Sequence, residues 1–246
     1  MRWGLLAAGL GAYAIGLIVT APATLGDAIL QSRSGSRLRL AEAQGTLWSG
    51  AGQFEIRDAG GRIGIANRLA WRVLPESFLR GRLVYAVELD HATRSFPVTI
   101  SLSTIEIAAA EINLPATVLG IAVPRLAPLG LSGDVVLHVA RLSIGRSGVS
   151  GAATLQWRAA GSALTPVWPL GDYEVRFEGV GTAVHGRLRT LQGPLQLDGK
   201  GSWVNGDNPV FDATARILPQ HQEKLAPLLR LVAIERGAGT FALQFK

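Results

Sequence analysis

The residues best suited to chemistry in this chain are its four histidines, His91, His138, His185 and His221. Imidazole nitrogens bind zinc or transfer protons, and a zinc-binding helix places two of them in a His-Glu-x-x-His pattern. None of the four lies in such a pattern, and they are spread along the chain. We therefore interpret them as surface residues of strands or helices.

The glycine-rich segments lack the spacing of a nucleophile or nucleotide site. Residues 145–148 (GRSG) do not form the G-x-S-x-G turn of hydrolases. Residues 179–181 (GVG) lack the third glycine of a dinucleotide site, and residues 199–202 (GKGS) lack the upstream glycine of a phosphate loop. The carboxylates follow only strand alternation, as in Glu106 and Glu111, or Asp58 and Asp90. The sequence therefore predicts no enzymatic activity, no cofactor and no metal site.

The positive charge of the chain is dispersed. The net charge is +6, and only three of the 24 basic residues are lysines. Because the arginines occur singly and form no basic tract, we do not expect a nucleic-acid partner. A denser set could meet anionic lipid headgroups or an acidic partner: Arg57, Arg62, Arg68, Arg72, Arg80 and Arg82. There is no cysteine, which excludes disulfides and thiolate metal sites.

The first element that must position the rest is an uncharged segment, residues 3–26. Its length approaches that of a membrane-spanning helix, so residues 1–26 are predicted to form a membrane anchor and residues 27–37 a short helix and linker. The side chains expected to meet lipid are Trp3, Leu5, Leu10, Tyr13, Ile15, Leu17 and Ile18. A cleaved signal peptide is the alternative, because Ala21 and Ala23 form an Ala-x-Ala site.

The remainder of the chain alternates apolar and polar residues with a period of two, which predicts β-strands. We divide it into a first β half (38–113), a proline-rich connector (114–131) and a second β half (132–246). The alternation changes phase near Ser103 and Thr104, which predicts a bulge or a bend there. Residues 219–234 are predicted to form a C-terminal helix, followed by a last strand at 241–245.

The two β halves resemble each other. Trp157 lies 86 residues after Trp71, in the matching contexts LQWR and LAWR, and Tyr173 lies 88 residues after Tyr85. Gly133 likewise follows Gly45 by 88 residues. A repeat of this length indicates duplication of a β-sheet unit.

Two segments carry a resemblance to a known family. AQGTLWSG at residues 43–50 resembles the G-T-L-W-x-G signature of the type II secretion system protein N family, and LQGPLQLDGKGSW at 191–203 resembles its second signature. The C-terminal LAPLLRLVA and GAGTFALQF also resemble that family. The residues that carry the two motifs are Gly45, Thr46, Leu47, Trp48, Gly50, Gly193, Pro194, Leu195, Gly199, Gly201 and Trp203.

The resemblance implies a mainly β fold: an N-terminal transmembrane helix, then a large, highly twisted antiparallel sheet, open or half-barrel, with a few short helices. It also implies a single-pass inner-membrane protein with its body in the periplasm, which serves type II secretion as a non-catalytic scaffold. The expected partners are other secretion subunits and inner-membrane lipids. An AsmA-like module that binds or transfers lipid, with an acyl chain in an apolar groove, is the alternative.

Overall fold

The computed structural model describes residues 2–57, 61, 63–204, 210–237 and 239–245. Two helices come first: α1 (Arg2–Val19) and α2 (Thr24–Ser34), which ends at Gly35 in a left-handed conformation. In the described part of the chain, no helix is both long and apolar enough to cross a membrane. The predicted transmembrane span is therefore not confirmed.

The body of the molecule is one antiparallel sheet. This confirms the prediction of a mainly β fold with a large antiparallel sheet. Within the described residues it has fourteen strands: β1 (Leu38–Gly45), β2 (Ser49–Arg57), β3 (Ile63–Val73), β4 (Leu83–Leu89), β5 (Phe96–Ile100), β6 (Thr104–Pro115), β7 (Leu131–Gly145), β8 (Gly148–Ser162), β9 (Gly171–Val180), β10 (Ala183–Gln192), β11 (Leu195–Val204), β12 (Val210–Ile217), β13 (Ile234–Gly237) and β14 (Thr240–Phe245). Neighbours in sequence are neighbours in the sheet until β12, which pairs with β14, so that β13 lies at the edge.

The bulge or bend predicted near Ser103 is a bend in a hairpin turn, where the chain reverses direction. β5 ends at Ile100, β6 begins at Thr104, and Ile100 pairs with Ile105. The turn has the sequence SLS, without the glycine or proline that normally marks a reversal, so the alternation alone did not distinguish a turn from a bulge.

Two short helical segments occupy the predicted connector. α3 (Thr117–Ala122) and a 3-10 turn (Pro124–Leu129) join β6 to β7, and these two strands pair directly. The Ile121 side chain of α3 lies so close to Gly64 of β3 that a Cβ atom at Gly64 would overlap it. Residues on both sides of the connector therefore belong to one uninterrupted sheet.

The sheet has an apolar face and a polar face, because directly paired residues share a face. One row of pairs runs Ala110, Val139, Ala153 and Phe177, and the next residue along each strand is polar or charged at most positions. We call the side that carries these four residues the apolar face. The opposite, polar face carries rows such as Gln156, Glu174, Arg189 and Asp198.

Two buried clusters lie on the apolar face. The first lies beneath α4 (Gln222–Arg230), whose Leu225, Leu228 and Leu229 pack with Tyr173 and Phe241. The second is centred on Phe96, Ala110, Val139 and Ala153, and its members come only from strands and the β4–β5 turn. Among the described residues, the core is therefore covered by helix α4 at its C-terminal end and formed by strand and turn residues in the second cluster.

Candidate functional site

The first family motif forms the turn between β1 and β2. Gly45 adopts φ +88°, a conformation that favours glycine. The Thr46 backbone N–H donates to Ser49 O at 2.9 Å, and the Thr46 hydroxyl oxygen accepts from the backbone N–H groups of Trp48 and Ser49, both at 3.2 Å. The threonine side chain therefore fixes the turn that presents Trp48.

Gly50 makes room for a tryptophan from the neighbouring strand. Gly50 pairs with Trp71 of β3, and a Cβ atom at Gly50 would lie 2.5 Å from the indole Cζ2 and against Gln44 O. With the ring in this position, Trp71 Nε1–H donates to Thr46 O at 3.1 Å. The motif glycine is thus required by a close approach of side chain to backbone.

The same turn is hydrogen-bonded to the end of α1 and to the residues that follow it. Residues 18–23 run beside residues 45–48, and we call these two segments the N-terminal junction. Its hydrogen bonds are Trp48 Nε1–H to Ile18 O (2.8 Å), Leu47 N–H to Ala21 O (2.9 Å) and Ala23 N–H to Gly45 O (3.2 Å). Ala23 is only 1% exposed. The motif therefore joins the N-terminal helix to the sheet.

Helix α2 then covers the outer edge of β1. Leu40 N–H donates to Asp27 Oδ1 at 2.8 Å, and Leu38 N–H donates to Ser34 Oγ at 3.0 Å. Gln31 Nε2–H holds the other Asp27 oxygen at 2.7 Å. Because these side chains satisfy backbone groups that face away from β2, this edge is closed to an added strand.

The second family motif lies far from the first. Gly193 and Pro194 form the β10–β11 turn, and Leu195, Gly199, Gly201 and Trp203 lie in β11. The β1–β2 and β10–β11 turns lie at opposite ends of the strands, and they are also eight or more strands apart across the sheet. The structure therefore does not bring the two motifs into one site.

Gly201 of the second motif again makes room for an aromatic ring, together with its cross-strand partner Gly186 of β10. A Cβ atom at Gly186 or Gly201 would lie 2.8 or 3.2 Å from the Trp203 ring. The ring stacks at a tilt against Phe177, with 6.0 Å between centroids. These positions are packing residues of the apolar face.

Trp71 and Trp157, which the sequence relates by repeat, make equivalent contacts. Trp71 Nε1–H donates to the carbonyl of Thr46, and Trp157 Nε1–H donates to the carbonyl of Ser132 at 3.0 Å. Each acceptor lies 25 residues before its tryptophan. The equivalence supports the proposal that the two halves arose by duplication.

Residues 36–244 match the family model described as type II secretion system protein N. The match extends from the residue before Arg37 to β14 and so includes both motifs and the whole sheet. The chain belongs to this family. No curated protein and no solved structure matches the chain.

Members of this family are accessory secretion components. Among the described residues, no group of three or more histidine, aspartate or glutamate side chains could hold a metal ion. His138 lies 3.7 Å from Glu111 on the polar face as an isolated pair.

Glu174 is a buried carboxylate that the sequence reasoning missed, because it follows the strand alternation like any polar residue. It is 5% exposed, and both Arg176 Nε and Arg189 Nε donate to its Oε1, at 2.8 and 2.9 Å. Burial raises the pKa of Glu174, but the hydrogen bonds and positive charges of the two arginines outweigh this and hold it below its usual value. This triad ties β9 to β10 and is structural.

Among the predicted lipid-facing residues, Leu10, Tyr13, Leu17 and Ile18 are exposed on α1. For Trp3, Leu5 and Ile15, the structure describes the backbone in α1 but not the side chain.

Proposed function

We propose that this protein is a non-catalytic scaffold of the type II secretion apparatus, anchored to the inner membrane by α1, with its sheet in the periplasm. The observation that carries the proposal is the family match, which covers both motifs and the full width of the sheet. Family membership supports contact with other secretion subunits.

The N-terminal junction supports retention of the anchor. Cleavage after Ala23 would remove Ile18, Ala21 and Ala23, and with them all three hydrogen bonds of the junction. It would also empty the buried position of Ala23 and place a charged terminus at Thr24 beside it. The exposed apolar side chains of α1, among them Leu10 and Leu17, have no cover in the body and suit a lipid environment.

The two sheet edges differ in what they offer a partner. The β1 edge is closed by α2, whereas β13 pairs only with β14 and all four of its residues are exposed. β13 begins at the exposed Ile234, and the exposed Leu231 precedes it, so strand addition to β13 is the mode of docking that we favour.

Photo-crosslinking in cells tests the scaffold proposal. A photo-reactive amino acid at Ile234 should capture a secretion subunit, whereas one at Ile29, equally apolar and exposed on α2 beside the closed edge, should not. Recovery of no secretion subunit from either position, together with normal export in a deletion strain, would overturn the proposal.

A lipid-binding role is the second candidate, and one observation favours it. The cluster around Phe96 and Val139 contains no helix residue, so the apolar face there is covered by strand side chains alone. An acyl chain would bury the partly exposed Val98, Ile107 and Leu142. Mass spectrometry of purified protein that finds no lipid, with no lipid crosslinks in the envelope, would exclude this role.

A further inference from the structure

The hairpin turns at one edge of the sheet expose apolar side chains. In an antiparallel meander, the β1–β2, β3–β4, β5–β6, β7–β8 and β9–β10 turns lie at the same edge. The N-terminal junction places the end of α1 at the first of these turns. This side of the sheet is formed by the ends of the strands and differs from the lateral edges formed by β1 and β13. We call it the α1 edge. Turns are normally polar, so exposed apolar residues there are informative.

A continuous row of branched aliphatic residues lies next to the turns of the α1 edge. Cross-strand pairs join them in the order Leu83, Ile100, Ile105, Ile144 and Val149. Beyond this row, Leu102 is fully exposed in the β5–β6 turn, and Val180 is 67% exposed at the start of the β9–β10 turn. We call these seven residues the apolar rim.

The charges at this edge are mainly positive. Arg82 and Arg146 are exposed in the β3–β4 and β7–β8 turns, and the one carboxylate in the described turns of the α1 edge is Glu76. Exposed arginines beside apolar side chains favour an anionic lipid surface, because the negative potential of such a surface attracts each basic residue near it.

We propose that the apolar rim docks onto the surface of the membrane that α1 enters, so that the sheet stands on its α1 edge. The inference rests on the proposed anchoring by α1 and adds a second, independent contact. It follows from three features that coincide at one edge: the end of an apolar helix, a row of apolar residues with fully exposed Leu102, and cationic turns. Held at both the junction and the rim, the sheet would have a fixed orientation to the bilayer.

The absence of cysteine allows a direct test with single-cysteine variants of the full-length protein. Leu102→Cys, labelled with an environment-sensitive fluorophore, is reconstituted in vesicles of phosphatidylethanolamine and phosphatidylglycerol. Ser95→Cys, exposed in the β4–β5 turn at the opposite edge, is the matched control, and Leu17→Cys reports on α1. Nitroxide-labelled lipids and aqueous iodide then quench each probe.

We expect the probe at Leu102 to shift to shorter wavelength, to be quenched by nitroxide lipids and to be protected from iodide. The probe at Ser95 should show the opposite. If Leu17 is quenched by lipid while Leu102 remains as open to iodide as Ser95, the rim proposal is wrong and the anchor stands. If Leu17 is not quenched by lipid, the anchoring proposal fails and the rim proposal with it.

A charge substitution separates direct lipid contact from mere proximity. With the probe at Val180, Leu102→Asp should cause a loss of nitroxide quenching, because it places a carboxylate beside anionic lipid. Leu164→Asp, at an exposed apolar position on the opposite edge, should leave the quenching unchanged. Equal quenching in both variants would contradict the proposal.

Discussion

Replacement of Gly50 by alanine should disrupt the first family motif. The added Cβ atom would lie 2.5 Å from the Trp71 ring and against Gln44 O, so the indole must move by about 1 Å to reach ordinary contact distance. Such a shift would also break the bond from Trp71 Nε1–H to Thr46 O.

The expected cost is the sum of two effects. Overpacking in a well-packed site costs about 1–3 kcal/mol, and loss of one hydrogen bond costs about 0.5–1.5 kcal/mol. Gly50→Ala should therefore lower the free energy of unfolding by about 1.5–4.5 kcal/mol. For a chain of this length that corresponds to a fall in the melting temperature of about 3–18 °C.

Thermal unfolding followed by circular dichroism measures this effect, and Gly26→Ala is the matched control. Gly26 lies inside α2, and a Cβ atom there would meet only Leu47 Cδ2, at an ordinary 3.5 Å. Because alanine favours a helix by up to about 1 kcal/mol over glycine, this variant should be neutral or slightly stabilised. Equal melting temperatures for Gly50→Ala and Gly26→Ala would refute the explanation of the motif.

Three further predictions concern single polar contacts. Tyr173→Phe should cost about 1–3 kcal/mol by denaturant unfolding, because Tyr173 is 2% exposed and its hydroxyl donates to Leu195 O at 2.9 Å; an unchanged midpoint would contradict this. The lowered pKa of Glu174 means that its stabilisation is present above the unfolded value near 4.3 and is lost as the pH falls through the folded value. The stability difference between the wild type and Glu174→Gln should therefore shrink in acid, and a difference independent of pH would count against the ion pairs. Trp48→Phe removes the bond to Ile18 O, so amide exchange at the N-terminal junction should accelerate about 2–10-fold with little change in melting temperature; equal exchange in both proteins would exclude the bond as a restraint.

The sequence predicted the strands well because their alternation is a local property. Residues such as Tyr173, Val175 and Phe177 alternate with charged neighbours, and this pattern is sufficient to identify both the strand and its apolar face. The order of the strands in the sheet depends on where the chain turns. The SLS sequence after Ile100 contains no residue type that distinguishes a turn between two strands from a bulge within one strand.

The N-terminal junction could not be predicted from local pattern. The bond between Trp48 and Ile18 joins residues 30 apart, and Asp27 meets Leu40 across a turn of the chain. Side-chain bonds of this kind depend on tertiary placement, which periodicity does not encode.

The central claim is that this chain serves type II secretion. Export of a type II substrate, measured in culture medium and periplasm of a strain that lacks the protein, tests it most directly. We expect less substrate in the medium and more in the periplasm, with recovery by the full-length chain and weaker recovery by Gly50→Ala at equal abundance. Normal export in the deletion strain would contradict the claim.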